Sequence, residues 1–294
     1  MLTDAHCHPY DFTGVQHKTE KKSDNILSAG IGQPGVLAAA SACSLEEFTY
    51  NEKLAHNTMN NSSLRLLPCF GIHPQLFIMT GNKCGVWSDE CGVKNDLIRD
   101  SNDLKVKDLL DTLTLLASER RIYAIGECGF DLYNAAFRET EKIQEIVFAE
   151  HLETAIKYDL PVVLHVRRAM NKIFSFAKTL SKCKAVVFNS WPGTYEEALS
   201  LLSRGINVYF SFGNTVMLNH KQAIRSCALL PAERLLTETD TPYQPRRGEN
   251  RSFWTDLPLI LETIASLRNE AGDNTIAKDL ELKIENNFRK VFDK

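Results

Sequence analysis

The chain opens on "LTDAHCH", which places Asp4, His6 and His8 at alternate positions of a short run. On a strand alternate side chains share a face, so the two imidazoles stand close enough to share one ion, with Asp4 on the same face. Two histidines at this spacing are more often satisfied by ordinary hydrogen bonds than by a metal, so the metal reading depends on partners elsewhere. Such partners recur at the ends of later apolar runs: His73 in "GIHP", Glu127 in "IGECGFD", His165 with Arg167 and Arg168 in "LHVRRA", and Glu238 and Asp240 in "TETDTP". Imidazole and carboxylate donors without thiolates suit Mg²⁺, Mn²⁺ or Zn²⁺. One such ion activates water, and two together clamp the attacking and leaving oxygens of a phosphodiester, with Glu127 or Asp240 as the bridging carboxylate. Each residue also has a structural reading. His73 caps a turn before Pro74, His165 satisfies backbone groups, and Glu127 pairs with Arg167. Arg167 is either a phosphate clamp or the ion-pair partner of Glu127 or Glu238.

These residues need elements that bring them together. Eight apolar runs follow one another at 1–6, 35–41, 64–74, 122–130, 161–166, 184–190, 206–212 and 234–240. Most are continuous rather than alternating, as strands of a parallel sheet covered on both faces are. Helical spacing occupies 104–121, 137–159 and 195–205, the last stopping at Gly205. The expected architecture is therefore α/β, a (β/α)8 TIM barrel whose C-terminal strand ends gather the polar residues at one mouth, with a doubly wound open sheet as rival. No linker, repeat or low-complexity tract divides the chain, so residues 1–294 are expected to form a single domain. Polar stretches at 14–34 and 81–102 read as surface insertions. The "GIGQPG" at 30–35 precedes a strand and contains a proline, so it reads as a turn rather than a dinucleotide loop.

The 294 residues are 44% hydrophobic and 24% charged with a formal net charge of −3, which argues against coating nucleic acid or a membrane through bulk charge. No apolar run approaches the roughly 20 residues of a membrane span, and no signal peptide is visible, so a cytoplasmic protein is expected. Eight cysteines are scattered without a CxxC, which predicts reduced, mostly buried thiols; Cys84 and Cys91 share a polar loop where oxidation could join them. His17, His56, His151 and His220 fall on loops or helices and read as solvated or incidental.

In order, "DAHCH", "GIHP", "IGECGFD", "LHVRRA" and "TETDTPY" resemble the blocks of the TatD-like metal-dependent deoxyribonucleases of the amidohydrolase superfamily, from Asp4 to about Tyr243. The resemblance implies a (β/α)8 barrel that hydrolyses DNA phosphodiesters with one or two divalent ions, Mg²⁺ foremost and Mn²⁺ or Zn²⁺ as alternatives. It makes His6, His8, Glu127 and Asp240 ligands of one ion, with Glu127 bridging to a second held by His165, and Asp240 the base that takes the proton of the attacking water. Asp4 would orient a histidine ligand from behind. His73 lines the pocket, and Arg167 and Tyr243 face substrate, with Arg246, Arg247 and Arg251 of "YQPRRGENRSFW" either gripping a single strand or forming a solvated loop.

The chain departs from the family pattern where the second ion is also held by a histidine in "HxFxG". Here "FNSWPG" places Asn189 at that position, a neutral and weaker ligand. The implied activity is 3′-5′ exonucleolytic, with single-stranded DNA ends as partner. The alternatives are another ester or amide hydrolase on the same scaffold, for instance an aminoacyl-tRNA deacylase, or a catalytically impaired binding protein.

Overall fold

The structure is a computed structural model that describes residues 1–11, 35–58, 63–77 and 104–294. The insertions at 14–34 and 81–102, with His17, Cys84 and Cys91, and all but the last residue of "GIGQPG" lie outside the described residues.

A parallel strand forms in each of the eight apolar runs: β1 (Leu2–Cys7), β2 (Val36–Ala40), β3 (Leu64–Pro68), β4 (Ile125–Asp131), β5 (Val162–Arg167), β6 (Val186–Phe188), β7 (Val208–Phe212) and β8 (Leu235–Thr237). β2, β6, β7 and β8 are buried along their whole length, which is why their sequences run apolar without alternation. The ladders form two arcs, β1-β2-β3 and β4-β5-β6-β7-β8. Between the arcs, Phe70 bridges Ile125, and the Gly126 amide donates to the Phe70 carbonyl at 3.0 Å. At the other seam, the Asp240 amide donates to the His6 carbonyl at 3.0 Å and the His8 amide to the Thr241 carbonyl at 2.8 Å. The fold is the (β/α)8 barrel, and its second seam lies within the cluster of polar strand ends.

Ten helices follow among the described residues: α1 (Leu45–Thr58), α2 (Leu104–Ser118), α3 (Ala135–Glu139), α4 (Glu141–Tyr158), α5 (Met170–Ser175), α6 (Ala177–Leu180), α7 (Tyr195–Ser203), α8 (Lys221–Leu229), α9 (Leu257–Glu270) and α10 (Ala277–Phe292). The expected helix at 137–159 is split at Thr140, and the Asn134 side chain caps the first piece by accepting from the Phe137 amide. α7 begins on a capping box of Thr194 and Glu197, and Gly205 follows it at φ +74.

Two apolar layers result. The outer layer packs strand residues such as Val36, Ile125 and Phe210 against helix residues such as Phe48, Leu113 and Phe148. The inner one joins Ala5, Leu37, Leu67, Val163, Val187 and Leu236 from six strands to Phe288, Val291 and Phe292 of α10, so the C-terminal helix closes the barrel interior. No described helix is long and apolar enough to cross a membrane. Cys7, Cys69, Cys128, Cys183 and Cys227 are free and buried, whereas Cys43 is disulfide-bonded, against the expectation of reduced thiols.

Candidate metal centre

Simple alternation does not place the first two histidines. The β1–β2 register shifts between Asp4 and Cys7, and the strand ends at Cys7, one residue short of His8. Asp4 therefore does not join the imidazoles as a donor; it holds the first of them through its backbone. Its Oδ1 accepts from the His6 amide (3.2 Å) and the Thr239 amide (3.0 Å), fastening the end of β1 to the segment after β8. Burial raises its pKa to about 6 although those hydrogen bonds oppose the rise.

The strap brings four donor atoms together. His6 Nε2 lies 2.9 Å from His8 Nε2, 3.1 Å from Glu127 Oε2 and 3.5 Å from Asp240 Oδ1. His8 Nε2 lies 3.4 Å from Asp240 Oδ1 and 3.9 Å from Glu127 Oε2. Donors around one ion at a bond length of about 2.1 Å stand roughly 3.0–3.4 Å apart, so the spacing matches a coordination shell. Ser41 Oγ, 3.0 Å from His6 Nδ1, can accept the Nδ1 proton and leave the Nε2 lone pair toward the cluster.

Glu127 faces two ways. Its register also follows a ladder shift, between Ile125 and Cys128. While Oε2 sits at the first cluster, Oε1 lies 3.0 Å from His165 Nδ1 and accepts from Asn189 Nδ2 at 2.7 Å. Asn189 Oδ1 is buried with no hydrogen-bond partner among the described residues. On its other side His165 Nε2 lies 3.1 Å from Asp131 Oδ2. Gly129 allows β4 to run this close to β5: at φ +132, a Cβ there would come 2.2 Å from the His165 carbonyl oxygen.

The electrostatics fit an anionic cage. Burial pushes Glu127 up, but the surrounding imidazoles outweigh it and hold the carboxyl well below its usual range. Burial lowers His8 and His165, yet the carboxylates beside them raise both to about 9. Glu238 is the opposite case: burial and then the charge of Asp240 push it well above the carboxylate range. It lies on Ser190, whose amide donates to Oε1 at 2.8 Å, so it is part of the wall rather than the partner of Arg167.

These distances place His6, His8, Glu127, His165, Asn189 and Asp240 in one cluster, and His73 joins them with Nε2 at 3.4 Å from Glu127 Oε2. Its Nδ1 accepts from the Gln75 amide at 3.2 Å, and burial lowers its pKa, so the neutral ring carries its proton on Nε2, facing Glu127. Arg167 is exposed at the end of β5 and, among the described residues, makes no ion pair; its guanidinium carbon sits 3.7 Å above the Tyr133 ring. Tyr243 packs edge-on to His8 and donates its hydroxyl to Asp11 at 2.9 Å. Arg246 is held by Asp256 at 2.8 Å, which removes it from any free basic loop.

The sequence model of the TatD related DNase family matches residues 3–293. The chain belongs to that family. A 3′-5′ ssDNA/RNA exonuclease TatD of Pantoea ananatis is 34% identical over 193 residues, 63% of this chain and 71% of the relative. An uncharacterized metal-dependent hydrolase of Buchnera aphidicola is 27% identical over 283 residues, 92% of this chain and 89% of the relative. The crystal structure of YJJV, a TatD homolog from Escherichia coli, superposes with a TM-score of 0.75 at 22% identity, covering 100% of this chain and 98% of that one, so the two share the fold. Like its relatives, this TatD-family chain is a metal-dependent hydrolase.

Two residues of the TatD-family cage escape a reading by apolar runs and their ends. Asp131 is one. It sits four residues after Glu127 in the same "GECGFD" block, where the period of two places it on the same face. Gln144 of α4 fixes its backbone, accepting from the Asp131 amide at 2.9 Å and donating to the Asp131 carbonyl at 3.0 Å. Gln244 is the other: its Nε2 donates to Asp240 Oδ2 at 2.6 Å and to Ser190 Oγ at 2.7 Å, leaving Asp240 Oδ1 toward the histidines. Of the incidental histidines, His56 and His220 are exposed as expected. His151 is buried in α4, where Nε2 accepts from the Ile72 amide at 2.9 Å, so it is structural rather than solvated.

Proposed function

We propose that the protein hydrolyses phosphodiester bonds of single-stranded DNA from the 3′ end, as one catalytic domain over residues 1–294, with divalent ions held by the strand-end cage. The observation that carries this reading is Glu127, one oxygen of which faces His6 while the other faces His165. A carboxylate in that position suits two ions side by side. The residues fit such ions by their chemistry: among the described residues the donors are nitrogen and oxygen at coordination spacing, without a thiolate, and the buried amide oxygen of Asn189 has no hydrogen-bond partner.

In this reading His6, His8, Glu127 and Asp240 hold the first ion, and Glu127, His165 and Asn189 hold the second. Bound there, a divalent ion supplies Lewis acidity toward water and a phosphoryl oxygen. Asp240, steadied by Gln244 through Oδ2, takes the proton of the attacking water. Arg167 holds the phosphate with its free N–H edges. His73 and Tyr243 shape the pocket on either side, and Asp131 keeps the His165 ring in place. Mg²⁺ fits the all-nitrogen-and-oxygen donor set and the neutral Asn189 oxygen, with Mn²⁺ and Zn²⁺ as substitutes.

The second reading, a barrel that binds nucleic acid without cutting it, draws its support from Asn189, which stands where the family pattern has a histidine. The two separate in one experiment: a strand carrying a 3′-terminal fluorophore is incubated with the protein and Mg²⁺ or Mn²⁺, and products are resolved with time. Release of the labelled terminal nucleotide first supports the exonuclease. An intact strand that nevertheless shifts on a gel supports the binding protein.

A further inference from the structure

Beyond the cage, the rim formed by the ends of β4 and β5 carries an arrangement that metal chemistry does not require. Tyr133 is 41% exposed, and its amide donates to Asp131 Oδ1 at 2.9 Å, so the ring is anchored to the same carboxylate that steadies His165. Two guanidiniums lie on that ring, with the carbon of Arg167 at 3.7 Å and that of Arg168 at 4.6 Å from its centroid. Arg168 adopts φ +55, a conformation that a non-glycine residue seldom takes, and its Nη1 donates to the Tyr133 carbonyl at 3.3 Å. Arg138 reaches the same carbonyl at 3.5 Å from α3. None of the three arginines is paired with a carboxylate among the described residues. Stacking on an aromatic ring orders a guanidinium while leaving its N–H edges free, and such edges match phosphate oxygens.

One phosphate does not need three arginines. We propose that Arg168 and Arg138, ordered with Arg167 around Tyr133, form a second phosphate subsite, which holds the phosphodiester next to the one being cut. This rests on the phosphodiesterase reading above. Tyr133 stands two residues beyond Asp131, past the end of β4, which sets the subsite on the rim beside the cage rather than inside it. Tyr133 is a positioning residue, acting through the arginines it orders.

The test uses a short oligothymidylate and its analogue in which the linkage adjoining the scissile one is a neutral methylphosphonate. In the unmodified protein the analogue should raise KM about tenfold, with the change falling on KM rather than kcat. Arg168→Gln should raise KM for the normal strand by a similar factor and make the enzyme indifferent to the analogue. Tyr133→Leu should lie between, with Tyr133→Phe restoring the value because it keeps the ring. An undiminished methylphosphonate penalty in Arg168→Gln overturns the subsite. Should the unmodified protein cut no strand with any ion, the nuclease reading fails separately, and the subsite is judged by metal-free fluorescence anisotropy on the same strand. There Arg168→Gln should reduce the log–log salt dependence of binding by about 0.7, the release expected for one phosphate contact on a single strand, and an equal slope overturns it. Circular dichroism and melting of each variant show that the fold is kept.

Discussion

At the scale of single residues, the cage separates donors from the groups that aim them. Asp131 touches His165 and not the first cluster, so Asp131→Asn should weaken the second ion by about 10–100-fold and leave the first unchanged. Calorimetric titration with Mn²⁺ reads both sites at once; equal loss at both would remove Asp131 from that role. Asn189→His should act in the opposite direction, tightening Zn²⁺ at the second site by about tenfold or more, since imidazole is the better ligand for that ion. The residues gathered in the cage were legible in the sequence because each stands at or near the end of an apolar run that reads as a buried strand. Asp4 does not share the face of the imidazoles for a physical reason: period-two alternation breaks where the β1 register shifts, and a sequence does not display a shifted ladder. Asp131 shows itself only through its spacing of four from Glu127 on one strand, and Gln244 through no spacing at all, because its work is to hold other side chains.

The elements show how the frame carries the site. All eight strands stood out as apolar runs, most of them continuous, whereas α10 did not suggest its task of closing the barrel interior with Phe288, Val291 and Phe292. That contact joins the C-terminal helix to residues throughout the chain, and nothing local announces it. A second long-range tie is His151 in α4, which accepts from the Ile72 amide just before His73. Burial lowers its pKa from 6.5 to about 4. A depressed imidazole pKa means that the unfolded chain takes up the proton first as pH falls. The contribution is therefore complete above pH 6.5 and is lost between pH 6.5 and 4, by on the order of 3 kcal/mol. Urea unfolding of the protein and of His151→Gln across that interval checks it: the stability difference should shrink toward acid. A difference independent of pH would mean that the ring is not held neutral.

Among the described residues the two arcs of strands meet at the cage, where β1 and the segment after β8 are joined through the Asp240 amide on the His6 carbonyl and Asp4 on Thr239. An ion binding there ties together residues more than two hundred positions apart. Saturation with Mn²⁺ at about a hundred times its dissociation constant should add about 2.7 kcal/mol and raise the melting temperature by on the order of 5 °C, and chelator should abolish the gain. His6→Ala keeps the backbone bond at the seam while removing the imidazole, so it should melt close to the metal-free protein and lose most of the response to Mn²⁺. The measurement that tests the central claim most directly is cleavage of end-labelled single-stranded DNA with Mg²⁺ or Mn²⁺, by the protein and by Asp240→Asn, with a chelator control. The expected result is cleavage that requires the ion and falls at least about a thousandfold in the variant, whose folding is unchanged. Cleavage that survives either the chelator or the Asp240 substitution would contradict the account.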